Sequence, residues 1–378
     1  MFEQVTIDWQ GRATSASVPP ALAGAGVDLP EPVVRATERA AAAVRRAGDR
    51  LPQAWEPLAR LLLRSEGVAS SAVEEVRAPV EEVAAAEVLP DAGGPSAWVA
   101  DNLSVVADAV GTARRSPLTV ETVLRWHARL MRHATDGASP GLAGRFRDRP
   151  VWVGGRGPLD AAYVAPPHAL VPELMDDLVG FANGETLDVV TQAAVLHAQF
   201  ESIHPFADGN GRIGRALIGW LLVRRLDVPV PPPFSVYVAR DPGGYLSGLA
   251  FYQLGEVPRW VQWFAATLER SASTALSLAA GVESLMDEWR ARAGRQGRTL
   301  RRGATPGKLI DLLPEHPLVS ASLVADRFGV TPEAGRQAIH QLASLGILEP
   351  LSLPSGGPGR PVHWWAAREL LDLVAETA

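Results

Sequence analysis

The chain has 378 residues, a formal net charge of −6 and no cysteine. That length predicts two or three domains with a substantial core. The mild acidity gives no reason to expect a protein that coats nucleic acid, and the missing thiols exclude disulfides, cysteine nucleophiles and cysteine-based zinc sites together.

Residues 1 to about 30 are rich in Pro, Gly and Ala and read as an irregular lead-in, with no basic stretch ahead of an apolar one and hence no secretory signal. From Pro32 helical spacing takes over: Val33, Ala36, Ala40 and Val44 share one face, then Trp55, Leu58, Leu61 and Leu62 another, with Pro52 between them. In RSEGVASSAVEEVRAP (64–79), Ser70 or Ser71 is placed to cap a helix, with Glu74 and Glu75 in its first turn. Two more helices are expected over 98–115 and 120–133, separated by Pro117, with Thr119 capping the second. His127 and His133 on that second helix read as surface or interhelix residues. Val151-Trp152-Val153, a glycine-rich turn and Tyr163-Val164 then read as a short hairpin.

The most informative stretch is His204-Pro205-Phe206-Ala207-Asp208-Gly209-Asn210-Gly211-Arg212-Ile213-Gly214-Arg215. Apolar residues at helical spacing on both sides make it a junction between two buried helices. Gly209-Asn210-Gly211 permits the backbone angles that aim successive N–H groups at one anion, and the following helix adds the positive end of its dipole. Arg212 and Arg215, three apart, share a face and suit further phosphate oxygens. Asp208 is a hard oxygen ligand suited to a Mg²⁺ that rides on a polyphosphate. His204 is the group here able to take a proton near neutral pH. The next helix contains the longest apolar run (216–223), far too short to cross a bilayer, so a cytoplasmic protein with no membrane partner is expected.

Beyond the motif, Pro229 to Pro233 reads as an extended linker, followed by a helix from Pro258 to about Leu268. Tyr245 reads equally as a packing residue and as a border of a nucleotide base. Another long helix is expected from about Ser271 into Arg290, Arg292, Arg295, Arg298, Arg301 and Arg302, an arginine run without an acid, with a domain boundary near residue 300. The last segment reads as a winged helix-turn-helix. Its helices cover about 306–313, 320–328 and one capped by Thr331, and its strands at 347–349 and 363–365 flank a wing at 355–360. On its third helix Arg336, Gln337 and His340 form a candidate DNA-reading set. The alternative use of the module is packing or dimer contact, which makes a homodimer a candidate assembly.

The string 204–215 matches every position of the signature HPFx[D/E]GNGRxxR and so resembles the Fic-domain AMP-transferases. The resemblance implies a mainly α Fic fold with a small hairpin flap over the active site. It divides the chain into an N-terminal helical region with an inhibitory segment (1–100), a catalytic core (101–275), a linker helix (276–302) and a winged helix (303–378). It implies transfer of AMP from ATP to a Ser, Thr or Tyr hydroxyl of a target protein or of the chain itself. His204 would be the base, Asp208 the Mg²⁺ ligand, and Gly209, Asn210 and Gly211 the phosphoryl cradle, the Asn210 side chain included. Arg212 would bind the departing phosphates and Arg215 the γ-phosphate, with Phe206 anchoring the loop. Ser70-Ser71-Ala72-Val73-Glu74 resembles the family's [S/T]xxxE[G/N] inhibitory signature, which assigns Glu74 to Arg215, although Glu75 stands where the family has Gly or Asn. Two alternatives stay open at this point. One is a DNA-binding regulator with a nucleotide-sensing core, the other a Fic enzyme that removes AMP or transfers another phosphate-containing group.

Overall fold

The computed structural model describes residues 2–24, 26–50, 56–89, 93–134, 141, 143–295, 300–301, 303–353 and 362–377, with side chains from residue 62 onward in the third stretch. The described residues are mainly helical. At the centre lie α7 (Val189–Ile203) and α8 (Asn210–Leu226). Both are buried on nearly every side, so their apolar residues are not confined to one stripe. Asp188 starts α7 by accepting from the N–H groups of Val190 and Thr191. Around this pair pack α1 (Glu31–Arg50), α2 (Glu56–Val73), α4 (Gly94–Arg115), α5 (Val120–Leu130) and α6 (Val171–Asn183). Thr119 caps α5 through the Thr122 N–H, as the sequence predicts. The short α3 (Val80–Val88), which periodicity does not reveal, follows α2.

The lead-in is not irregular. Strands β1 (Glu3–Trp9) and β2 (Arg12–Val18) pair antiparallel through a two-residue turn. Gln10 and Gly11 both have positive φ (55° and 78°), the combination that matches the twist of a tight hairpin. The alternation Val5, Ile7, Trp9 carried this signal, outweighed in the sequence by the Pro and Ala that follow it. The expected flap forms as β3 (Trp152–Val153) and β4 (Tyr163–Val164). The N-terminal hairpin packs beside it: Trp9 meets Trp152 edge-on at 5.3 Å, and Thr14 Oγ1 donates to the Pro158 carbonyl (3.2 Å).

After α9 (Phe234–Arg240) and α10 (Pro242–Gln253), α11 runs unbroken over Val257–Arg295, 39 residues. It replaces the two helices expected there, because no Pro or Gly interrupts the chain between Leu268 and Ser271. Two of the arginines near its end are paired: Arg290 with Asp287 and Asp311, Arg292 with Glu288 and Glu369. The acids come from the preceding turn and from segments far along the chain, which a local scan of charge does not see.

The C-terminal part comprises α12 (Thr305–Leu312), β5 (Leu318–Ser320), α13 (Ala321–Phe328), α14 (Pro332–Ala343), β6 (Glu349–Leu351), β7 (Trp364–Ala366) and α15 (Arg368–Thr377). Its sheet is antiparallel in the order β5-β7-β6, and Ser320 and Thr331 cap their helices. The expected wing at 355–360 lies outside the described residues. This part is packed onto the rest: Trp289 Nε1 donates to Glu369 (2.7 Å), Arg64 Nη2 to the Glu315 carbonyl (3.2 Å), and Arg368 pairs with Glu81. No described helix is long and apolar enough to cross a membrane.

Candidate active site

The site forms where α7 ends and α8 begins. His204 terminates α7 in the left-handed conformation (φ 50°, ψ 60°), which costs a non-glycine residue about 1 kcal/mol or more and marks an over-determined position. Its Nδ1 lies 3.2 Å from the Glu201 carbonyl. A carbonyl only accepts, so Nδ1 carries the hydrogen and Nε2 is the free basic nitrogen. Burial holds the imidazole below its ordinary pKa, Arg147 adds to that, and the Glu201 carbonyl, Glu74 and Asp208 oppose it.

Phe206 is fully buried against Phe146 and Phe200 and stacks on His127, ring centroids 3.8 Å apart. His127 is buried between α5 and the loop joining α7 to α8, the interhelix one of the two placements expected. Its Nδ1 accepts from the Gly144 N–H (3.0 Å), so Nε2 donates to the Asp208 carbonyl (3.1 Å). Burial pulls it down to about 4, keeping it neutral as this pattern requires. The α5 periodicity Val123, Trp126, Leu130 placed His127 on the inner face and was the available signal.

The Asn210 side chain is bonded within its own loop. Its Oδ1 accepts from the Phe206 N–H and its Nδ2 donates to the Phe206 carbonyl, both at 2.9 Å. One hydrogen and one lone pair of the amide thus fasten the loop. Gly209 caps α8 with φ 79°, open to glycine without strain, and no side chain caps the helix N-terminus. Asp208 Oδ1 accepts from the Gly209 N–H (2.5 Å) and lies 3.4 Å from Arg212 Nη2.

Arg212 and Arg215 are buried on the same side of α8. The Arg212 guanidinium lies 4.2 Å from the centroid of the Trp98 ring, and its Nε and Nη1 have no hydrogen-bond partner among the described residues. Arg215 donates to Ser70 Oγ (3.0 Å), to the Ser70 carbonyl (2.7 Å) and to Glu74 Oε1 (2.8 Å). Burial opposes the Glu74 charge, yet the Arg215 guanidinium overcomes it and holds the carboxyl below its usual range. Glu74 also lies over Gly211, where a methyl group would overlap its Oε1.

Ser70, Ser71 and Glu74 thus stand at the end of α2, not at the start of a helix. Glu75, the next residue, has φ 62°. This is the left-handed position that follows a helix and favours Gly or Asn, so the departure at Glu75 is a strained ending. Behind Arg215, Glu201 is pushed up to about 8 by burial, and its Oε1 has no hydrogen-bond partner among the described residues. Tyr245 is buried, with its hydroxyl 2.8 Å from His197 Nε2 and its ring beside Trp260 and Trp263.

The C-terminal residues lie away from this cluster, on α14. Arg336 is paired with Glu333, Gln337 Nε2 reaches the same carboxylate (3.5 Å), and His340 packs edge-on to Trp365 at 5.3 Å.

Residues 117–222, the segment carrying the motif loop, match the model of the Fic/DOC family. It is 30% identical over 157 residues to the protein adenylyltransferase fic-1 of Caenorhabditis elegans, a match covering 41% of this chain and 28% of that one. It is 34% identical over 119 residues to the protein adenylyltransferase Fic of Drosophila melanogaster, covering 31% and 22%. The chain therefore matches less than a third of the length of these curated relatives. In fold it is similar to the crystal structure of a Fic family protein from Desulfovibrio desulfuricans G20, with a TM-score of 0.53 at 20% identity over 90% of this chain and 97% of that one.

Proposed function

We propose that this chain is a protein adenylyltransferase that moves AMP from ATP to a Ser, Thr or Tyr hydroxyl of a target protein or of itself, and that Glu74 inhibits it. One observation carries the reading. The chain's own carboxylate lies on Arg215 and over Gly211 at the N-terminus of α8, where a phosphate would enter. A site that holds one oxyanion through a guanidinium at a helix start is built to hold another. The names of the two curated relatives agree with this activity.

In this reading the acceptor hydroxyl loses its proton to His204 Nε2 as its oxygen attacks the α-phosphorus. The bond from that phosphorus to the bridging oxygen breaks, and pyrophosphate leaves. The low imidazole pKa keeps His204 neutral and ready at pH 7. Backbone N–H groups of 209–211 face the phosphates. Arg212, with donors to spare, binds the leaving pyrophosphate, and Arg215 takes the γ-phosphate once Glu74 has left.

Among the described residues no His, Asp and Glu trio suits a resident metal. Asp208 supplies a single, partly exposed carboxylate, which fits a Mg²⁺ held mainly by phosphates and water. Such an ion would offset negative charge on ATP. We further propose a winged helix at 303–378, on the strength of its helix order and three-stranded sheet. Incubating the chain and its Glu74→Gly variant with α-labelled ATP and Mg²⁺ tests the activity. Label in protein, greater in the variant, is the expected result; none in either overturns it.

A further inference from the structure

Arg147 is a buried cation with no carboxylate against it among the described residues. Its Nε donates to the His204 carbonyl (2.8 Å), its Nη2 to the carbonyls of Pro166 (2.6 Å) and Ile203 (3.3 Å), and its Nη1 to that of Arg149 (3.2 Å). Its own N–H donates to the Pro205 carbonyl (2.9 Å). Burial lowers the guanidinium to about 10, so it remains charged at neutral pH. An unpaired buried charge is expensive, and carbonyls repay that cost only where their dipoles converge.

They converge here because α7 ends here. The last carbonyls of a helix lack intrahelical partners and carry the negative end of its dipole. At the end of α7 each is taken by a particular donor. His204 Nδ1 binds the Glu201 carbonyl, the Tyr163 hydroxyl on β4 binds that of Ser202 (2.7 Å), and Arg147 binds those of Ile203 and His204. Arg149 and Pro166, the other partners of Arg147, bracket the hairpin β3-β4 at its two ends. The helix that carries His204 is therefore capped by the flap.

We propose that Arg147, seconded by Tyr163, is the positioning residue that joins the flap and His204 into one rigid unit, so that an acceptor lying on the flap is held at a fixed distance from the base. This rests on His204 being the base, and extends that reading to how base and acceptor are kept in register. A lysine cannot replace the arginine, because one ammonium cannot span carbonyls on both sides of the junction as a planar fork does.

The test uses the full chain carrying Glu74→Gly as parent, with Arg147→Lys, Arg147→Met and Tyr163→Phe added singly. Three readouts are labelling by α-labelled ATP, ATP affinity, and amide hydrogen exchange by mass spectrometry. Both Arg147 variants should lose labelling roughly a hundredfold, the cost of about an ångström of misplacement, with ATP affinity within about threefold of the parent. Exchange should quicken in 145–166 and in 200–206 together, leaving 215–226 unchanged. Restoration by lysine, labelling near the parent level, or faster exchange in the flap alone would overturn the proposal. If neither Arg147 variant folds, Tyr163→Phe decides: quicker exchange in both segments is expected, and quickening in one or none counts against the coupling. A parent that never labels protein would refute the activity, while the exchange data would still judge the junction.

Discussion

On the α8 side of the site, Arg215 faces the Glu74 carboxylate, which directly follows α2. On the α7 side, Arg147 faces only carbonyls, and none of them is a rival for substrate. Ion pairing between side chains can be exchanged: another oxyanion replaces Glu74 at little electrostatic cost to Arg215. Carbonyl capping has no such substitute, because nothing that enters the site offers the same array. The α8 side can thus change partners, while the α7 side keeps them.

The largest expected effect falls on the side that keeps its partners. His204→Ala removes the proton acceptor and should lower labelling about a thousandfold, with ATP binding retained, since the cradle and arginines are untouched. Binding lost together with labelling would show that the two sides are not separable.

Glu74→Gly acts on the exchangeable side and should raise labelling on the order of ten- to a hundredfold, the equivalent of a partly buried ion pair released. Rates equal to those of the unmodified chain would remove Glu74 from regulation.

Next comes the pH dependence of stability behind Arg215. The folded Glu201 carboxyl holds its proton up to about 8, against an ordinary value of 4.5. Its favourable contribution is complete below the ordinary value and is lost as pH rises through that window. Glu66, raised to about 7 by burial, acts in the same direction. Below pH 6.5 the depressed buried histidines His127, His197 and His204 oppose this slope, so chemical denaturation should show stability falling as pH rises from about 7 to 8, by at most about 1.4 kcal/mol per pH unit for one proton. Glu201→Gln should flatten that slope; an unchanged slope would assign it elsewhere. The smallest effect is Glu75→Gly, which relieves a left-handed non-glycine and should stabilise by about 1 kcal/mol, raising Tm by a degree or two. A lower Tm would mean that the Glu75 side chain contributes more than its backbone costs.

What the sequence made legible follows the same division. The junction of α7 and α8 could be read because the motif compresses a turn, a helix start and their charges into consecutive residues. Glu74 was legible through its spacing from Ser70, although the helix it was given in the first instance ran the wrong way: the serines end α2 instead of starting a helix. Arg147 was not legible, since in GRFRDR nothing local separates it from Arg145 or Arg149, and its partners lie on the flap and on α7. Tyr163 was visible only as a strand residue. The Asn210 amide could not be assigned without the fold, because an amide suits a phosphate and a backbone equally well, and its own loop claimed it.

The unbroken helix α11 bears on how such a chain can be rearranged. It packs against α1, α7 and α10, and its second half buries Leu278, Val282 and Trp289, with Trp289 bonded to α15. A recombination breakpoint within it would leave a half-helix with a bare apolar stripe on one product and an orphaned α15 on the other. Exchange of the C-terminal part by simple fusion therefore has no clean joint before residue 295, and a graft that keeps the whole of α11 with its recipient must also bring an α15 that fits it.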